Sequence, residues 1–238
     1  LLALALLKEA GRDLVAVHGR FLALDPARAA LERDLARICR GLGVDFEVLD
    51  LVREFEQRVV ARFAAQYAAG LTPNPCLACN REIKFGAFMD LAASRLGARG
   101  LASGHFASLG PGPDGRPLLM RGRDASRDQS YFLCLAPRER LARAVFPLAR
   151  RAKAEVSAGL GPRGLAPPLA AASREICFVP GDDYRAFLLA RGMDLPGPGR
   201  VVLRDGTRVG GHRGLWRHTQ GQRRGLGIAH AEPLYVLD

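Results

Sequence analysis

The feature that most restricts the fold is an alternation over Leu1–Ser103, where short apolar runs take turns with longer stretches of helical periodicity. Leu1–Ala10 reads as a helix closed by Gly11, and Asp13-Leu14-Val15-Ala16-Val17-His18 as a buried strand. Asp25-Pro26 starts a helix with Pro at its first position, running through Leu31, Leu35 and Ile38 to Gly41. Asp45–Leu49 is the next strand. Glu54–Ala69 follows as a helix, with Phe55, Val59, Phe63 and Tyr67 at helical spacing. Glu82–Leu96 is a further helix, and Arg99–Ser103 a strand that stops at Gly104-His105. Strands separated by helices lie parallel in one sheet, with both faces covered. Ligands of such sheets bind at the carboxyl ends of strands, so the segment after Val17 and the Ser103-Gly104-His105 turn share one rim.

Further on, Pro111-Gly112-Pro113-Asp114-Gly115 is a hairpin turn between short strands. Asp128–Leu135, Arg138–Val145 and Lys153–Leu160 read as helices, and the Pro-, Gly- and Ala-rich stretch Gly161–Ala172 as a linker. Beyond it the character changes. One helix near Asp183–Leu189 precedes strands at Arg200–Leu203, Thr207–Val209 and Leu234–Leu237. The expected organisation is an α/β domain over 1–161 and a small, mostly-β domain over 162–238.

The formal net charge is +11, and of 35 basic residues only Lys8, Lys84 and Lys153 are lysines. Arginine holds phosphate through a planar fork and stacks on bases, which favours a nucleic-acid partner; a coding bias towards Ala, Gly and Arg is the plainer source of the same composition. No stretch is long and apolar enough to span a membrane. Leu1–Leu7 ends at Lys8-Glu9 without the flanks of a signal peptide, and five cysteines without a secretory signal suit a reducing cytoplasm. A helix starting at residue 1 without an initiator Met suggests that the chain was cut before this point.

Cysteine placement carries the chemistry. Cys76 and Cys79 form a Cys-x-x-Cys in Asn74-Pro75-Cys76-Leu77-Ala78-Cys79-Asn80, read as a Pro-rich loop, and Cys177 follows Glu175-Ile176. Two such thiolates share one metal or one disulfide, and a third converging on them suits an iron–sulfur cluster with one open iron, or a redox pair with a neighbour. Zinc with His105 as fourth ligand stays open, as do unrelated buried cysteines with one reactive thiol. Cys39 and Cys134 sit in apolar helical contexts and are expected in the core. Asn80-Arg81-Glu82-Ile83-Lys84-Phe85 opens the following helix, whose amides and cations favour thiolate and other anions. Arg127-Asp128-Gln129 offers side chains suited to RNA phosphate or base edges, or is an ordinary surface loop. Residues 199–238 carry seven Arg against three acids, and Trp216 within them is placed to stack on a base or to serve a Gly-rich turn region.

Taken together these segments resemble the tRNA-specific 2-thiouridylases. The matching pieces, in family order, are Gly70-Leu71-Thr72-Pro73-Asn74-Pro75, Cys79-Asn80-Arg81-Glu82-Ile83-Lys84-Phe85-Gly86-Ala87-Phe88, Ala102-Ser103-Gly104-His105-Phe106-Ala107, Asp128-Gln129-Ser130-Tyr131-Phe132-Leu133, Ile176-Cys177-Phe178 and Thr219-Gln220-Gly221-Gln222-Arg223-Arg224-Gly225-Leu226-Gly227. The resemblance implies an adenine nucleotide alpha-hydrolase-like (PP-loop ATPase) domain followed by a small β domain that contacts tRNA. It implies a two-step reaction: ATP adenylates the wobble uridine O2, and a protein-borne sulfur then displaces AMP at C2. By position Cys79 matches the first catalytic cysteine and Cys177 the second, which bears the persulfide. Asn74-Pro75-Cys76 falls where the target base is contacted, Gly104 on an ATP contact, His105 and Arg127-Asp128-Gln129 on tRNA contacts, and Gly19 near the adenine. The implied partners are tRNA and a sulfur-donor protein, either a persulfide carrier or a desulfurase.

Three departures qualify this. The family's Ser-Gly-Gly-x-Asp-Ser phosphate loop is not in the chain, and Leu1–Leu7 resembles the helix that follows it, so weak or no ATP binding is expected. The family usually continues beyond Asp238 into a C-terminal barrel. Its usual Asp before the first cysteine is here Cys76, so Cys76, Cys79 and Cys177 resemble the ligand set of the cluster-dependent tRNA thiolases, which implies a [4Fe–4S] cluster in place of a pure persulfide relay. Smaller changes put Ala172 for Asp, Arg127 for Lys and Phe106 for Tyr. The alternatives are an RNA-binding fragment with a structural metal and no catalysis, and a related sulfurtransferase acting at another tRNA position.

Overall fold

The computed structural model describes residues 1–168 and 176–237. The chain forms two compact units, one of Leu1–Val59 with Cys76–Ser173 and another of Val60–Pro75 with Arg174–Asp238. Residues 60–75, placed by sequence in the α/β half, thus contribute to the second unit. The linker expected over Gly161–Ala172 runs outside the described residues at 169–172. Ser173-Arg174-Glu175 lies wholly outside them.

In the first unit helix α1 (Leu2–Glu9) buries Leu2 and Ala5, and Leu2 packs with Phe106, Leu148 and Val156. Strand β1 (Ala16–Arg20) starts later than expected and runs on through Gly19. Helix α2 (Pro26–Gly41) begins where Pro at its first turn predicts, and the Asp25 carboxylate accepts a hydrogen bond from the Arg28 amide at 2.8 Å. Strand β2 (Phe46–Asp50) pairs parallel to β1, Ala16 facing Phe46. Arg20, at the end of β1, ties the crossover together by reaching Glu32 of α2 at 2.7 Å and Asp50 of β2 at 3.0 Å.

The helix expected over Glu54–Ala69 is three pieces. Helix α3 (Val52–Phe55) runs into a π-helical turn, Glu56–Val60, and then α4 (Ala61–Ala68). The next helical segment corrects the loop expected around the cysteines. Helix α5 (Pro75–Ala78) already contains Cys76, a π-helical stretch Cys79–Ala87 follows, and α6 (Phe88–Leu96) completes it. Asn80 is therefore inside a helical run and not at its start, so the amides of residues 80–82 are not the helix N-terminus that the sequence suggests. Gly86, with φ −110° and ψ −112°, breaks the helical path, and a methyl there would lie 2.9 Å from the Arg81 carbonyl oxygen. Helix α6 ends at Gly97 in the left-handed conformation that glycine adopts without steric cost.

Strand β3 (Leu101–Ala102) pairs parallel with β6 (Ala144–Val145), which cuts short the helix expected over Arg138–Val145. The amides of Leu101 and Ser103 take the carbonyls of Arg143 and Val145, so that backbone is spent on the sheet. Between them lie the hairpin β4 (Ala107–Pro111) and β5 (Pro117–Arg121), antiparallel as the Pro/Gly turn predicts, and helices α7 (Ser130–Leu133) and α8 (Arg138–Leu141). Helix α9 (Lys153–Ala158) follows. The unit's main core gathers Phe85, Met89, Ala107, Leu133, Leu141 and Phe146. Cys39 is buried as expected, but Cys134 is exposed, because α7 ends at Leu133 and only that residue turns inward.

The second unit is built on α4 and α10 (Tyr184–Ala190), whose N-terminus is capped by the Asp183 carboxylate accepting from the amides of Arg185 and Ala186. Tyr67 stacks on Tyr184 with ring centroids 4.4 Å apart. Strands β7 (Gly199–Val202) and β8 (Arg208–His212) form an antiparallel pair with a bulge at Val201/Val202. Leu234–Leu237 is not a strand; Val236 makes two backbone hydrogen bonds, with Gly221 and Gln222, and the pairing goes no further. Trp216, expected to offer its face to a base, is buried at 3% exposure, its indole N–H bonded to the Pro196 carbonyl and its ring covered by Arg217. A buried indole needs one acceptor and finds it inside the unit.

Candidate functional site

The first unit carries a cleft of about 170 Å³ at the carboxyl ends of β1 and β3. Its wall is apolar and aromatic, with Phe21, Phe85, Phe88 and Leu101, and its polar edge is Ser103, His105 and Lys84. The π-helical stretch after Cys79 is what brings both Lys84 and Phe85 into contact with it, since one residue added per turn shifts side chains off the regular helical stripe. Phe21 stands edge-on to Phe88 at 6.5 Å. Gly19 lies inside β1 and not after it, and a methyl there would meet the Phe21 ring at 2.6 Å, so this glycine makes room for the aromatic wall. Gly104 differs. A methyl built on it would rest 3.6 Å from Leu148 Cδ1, an ordinary contact, so packing within the unit does not demand a glycine at the end of β3.

His105 sits between the rings of Phe85 and Phe146, with Nδ1 2.7 Å from the Ser103 hydroxyl. Burial, with Lys84 adding to it, lowers its pKa to about 3. Its ring is thus neutral at physiological pH. An unfolded chain takes up a proton on this histidine near pH 6.5, and the folded one does not until about pH 3. Its contribution to stability is therefore present above pH 6.5 and is lost as pH falls towards 3, by up to about 1.4 kcal/mol per pH unit. Urea denaturation of wild type and His105→Asn between pH 7 and 5 checks this: the wild type should lose more stability across that range, and parallel profiles would contradict it.

Cys76 is exposed and Cys79 buried. Burial around the Cys76 sulfur pushes its pKa up, and Lys84 pulls it the other way. Next to Cys79, the Asn80 side chain is buried and donates to the Phe132 carbonyl at 2.8 Å, tying the cysteine segment to α7. Pro75 is buried at the head of α5.

The Arg127-Asp128-Gln129 segment divides by role. Asp128 accepts from the Gly122 amide and the Ser130 hydroxyl, and Gln129 Oε1 accepts from the Phe106 amide at 2.9 Å. Those two side chains fasten the loop to the hairpin and to the residue after His105, whereas Arg127 is exposed. Cys177 is exposed in the second unit, and its neighbour Phe178 is anchored, packing edge-on against Phe63 at 5.2 Å and against Phe187 at 5.6 Å.

Sequence reasoning placed Ser103 on the rim but did not single out Phe21, Phe85 or Phe88 as site residues. The signal available was their position at strand ends and just after the cysteines, but the π-helical register hides which side chains face the cleft. Among the described residues no three His, Cys, Asp or Glu side chains gather so as to hold a metal ion, and the three cysteines expected as cluster ligands fall in different units.

A parallel α/β unit with its cleft at the strand ends, followed by a small β-containing unit, defines a nucleotide-type fold carrying an accessory domain. Residues 2–181 match the family described as tRNA methyl transferase HUP domain, and residues 186–238 that described as tRNA methyl transferase PRC-barrel domain. The fold class read from the sequence therefore holds, although among the described residues β1–β2 and β3–β6 are two separate parallel ladders and not the one sheet expected. The tRNA-specific 2-thiouridylase MnmA of Nitratidesulfovibrio vulgaris (strain Miyazaki F) is 50% identical over 100% of this chain and 68% of its own length. That of Oleidesulfovibrio alaskensis is 50% identical with the same coverage, and that of Roseiflexus castenholzii 41% identical over 99% of this chain and 70% of its own length. The chain belongs to the tRNA-specific 2-thiouridylase family. No helix among its described residues is long and apolar enough to cross a membrane.

Proposed function

We propose that the protein is an ATP-dependent tRNA 2-thiouridylase, with residues 1–161 as the nucleotide-binding part and 162–238 as a tRNA-contacting part. The observation that carries this reading is the cleft beside the cysteine segment: a neutral His105, a single ammonium and an aromatic wall at the strand ends, with an exposed thiol close enough to feel that ammonium. An aromatic wall suits a stacked base. ATP supplies the activation, turning the uridine O2 into a leaving group as part of AMP. Sulfur held on Cys177 as a persulfide then forms the bond to C2 while the C2–O bond breaks and its electron pair leaves with AMP. Cys79 is the second thiol of the relay: its thiolate attacks Cys177 Sγ, the S–S bond to the base-borne sulfur breaks, and the thiolated uridine leaves as a Cys79–Cys177 disulfide forms, which an external thiol reductant returns to two thiols before the next turnover.

In this reading Asn74, Pro75 and Cys76 contact the target base, Gly104 lets the nucleotide approach the backbone closely at a position where packing does not itself require a glycine, and Arg127 meets tRNA phosphate. Although the matching family descriptions carry the words methyl transferase, the pair of cysteines beside the cleft supports sulfur chemistry and the relatives' names agree with it. The excess of arginine favours the polyanionic partner, and a persulfide-bearing donor protein acting in the cytoplasm would supply the sulfur.

The test is nucleoside analysis of tRNA from cells lacking the gene, before and after it is restored. Loss of 2-thiouridine at the wobble position, recovered on restoration, is the expected result. Unchanged 2-thiouridine, or loss of a thiolated base elsewhere in tRNA, would refute the assigned substrate.

A further inference from the structure

Lys84 is one of only three lysines in a chain of 35 cationic side chains, and it is the cation at the edge of the aromatic cleft. No carboxylate among the described residues lies within ion-pair distance of it, whereas neighbouring Arg81 pairs with Glu82 and Arg20 with both Glu32 and Asp50. With no carboxylate among the described residues paired to it, the ammonium beside Phe21, Phe85 and Phe88 is open to an anionic ligand. Its charge is near enough to lower the pKa of both His105 and Cys76, in each case after the larger effect of burial. The π-helical register and the kink at Gly86, where a side chain would meet the Arg81 carbonyl oxygen at 2.9 Å, hold it there.

We propose that Lys84 is the residue that binds the α-phosphate of an adenine nucleotide whose base lies against the aromatic wall of this cleft. The inference deepens the reading above and rests on its nucleotide site. A phosphate oxygen supplies the anion that no carboxylate among the described residues offers Lys84, and a charge-assisted hydrogen bond in a partly dry cleft is the stronger kind. When AMP leaves C2 its phosphate gains a negative charge, so the same ammonium also favours departure. The rival source of phosphate is the tRNA backbone.

Equilibrium titration of the whole chain with AMP and with adenosine separates these. The wild type should prefer AMP by about tenfold or more, as a charged hydrogen bond implies. Lys84→Met and Lys84→Gln should erase that preference while leaving adenosine affinity and the thermal midpoint as they were, and both should bind a tRNA anticodon stem-loop as the wild type does. The proposal is overturned if the neutral variants keep the AMP preference, if neither ligand binds the wild type, or if the variants lose stem-loop binding and not AMP binding. None of these measurements reads sulfur transfer. A protein that leaves 2-thiouridine unaffected yet shows a Lys84-dependent AMP preference would sink the proposed function and leave this site standing.

Discussion

Cys177→Ser is expected to lower the rate of tRNA thiolation by about a thousandfold or more, with tRNA binding unchanged, because a hydroxyl can neither accept a persulfide sulfur nor pass it on. Cys79→Ser should be as severe. Cys177 is exposed, and the buried ring of Phe178 beside it fixes the local backbone against Phe63 and Phe187. Cys76→Ser separates the two routes by which sulfur could be carried. A persulfide relay through Cys177 and Cys79 keeps measurable turnover, whereas a three-thiolate cluster loses activity and iron together. Mass-spectrometric nucleoside analysis with parallel iron determination reads all three variants, and a Cys177→Ser protein that still thiolates would remove this cysteine from the mechanism.

The second large effect concerns the support beneath Cys177. Phe63→Ala should destabilise the second unit by about 3–5 kcal/mol, the cost of removing a buried aromatic and leaving a cavity. Phe63 is 1% exposed and touches three rings, those of Tyr67 at 4.9 Å, Phe178 at 5.2 Å and Phe187 at 6.2 Å. Since Phe178 adjoins Cys177, thiolation should fall along with stability. Chemical denaturation followed by Trp216 fluorescence is the natural probe, as this indole is the chain's single tryptophan and is buried in the same unit. A loss below about 1 kcal/mol would show that the four rings are not the unit's structural centre.

Much of the first unit was legible because its signals are local. Asp25-Pro26 starts α2 by capping chemistry, Gly11 and Gly97 end helices in a conformation other residues avoid, and the Pro111–Gly115 turn closes its hairpin. What failed depended on distant neighbours. Ala144–Val145 became strand because β3 offered it a parallel partner, and Cys134 stayed at the surface because α7 stops one residue earlier. Asp128 and Gln129, read from sequence as RNA contacts, also accept hydrogen bonds from the backbone amides of Gly122 and Phe106, a fastening role that no local pattern reveals. Trp216 looked like a stacking platform until Pro196 gave its N–H a partner.

By itself the sequence determined the alternation of strands and helices over the first hundred residues, the cysteines with their spacing and the family, since these are written in periodicity, capping and co-linear motifs. Only the tertiary structure decided which side chains surround the cleft. A π-helical stretch departs from the 3.6-residue stripe on which sequence periodicity depends, so the meeting of Lys84, Phe85 and His105 is set by packing between segments far apart in the chain.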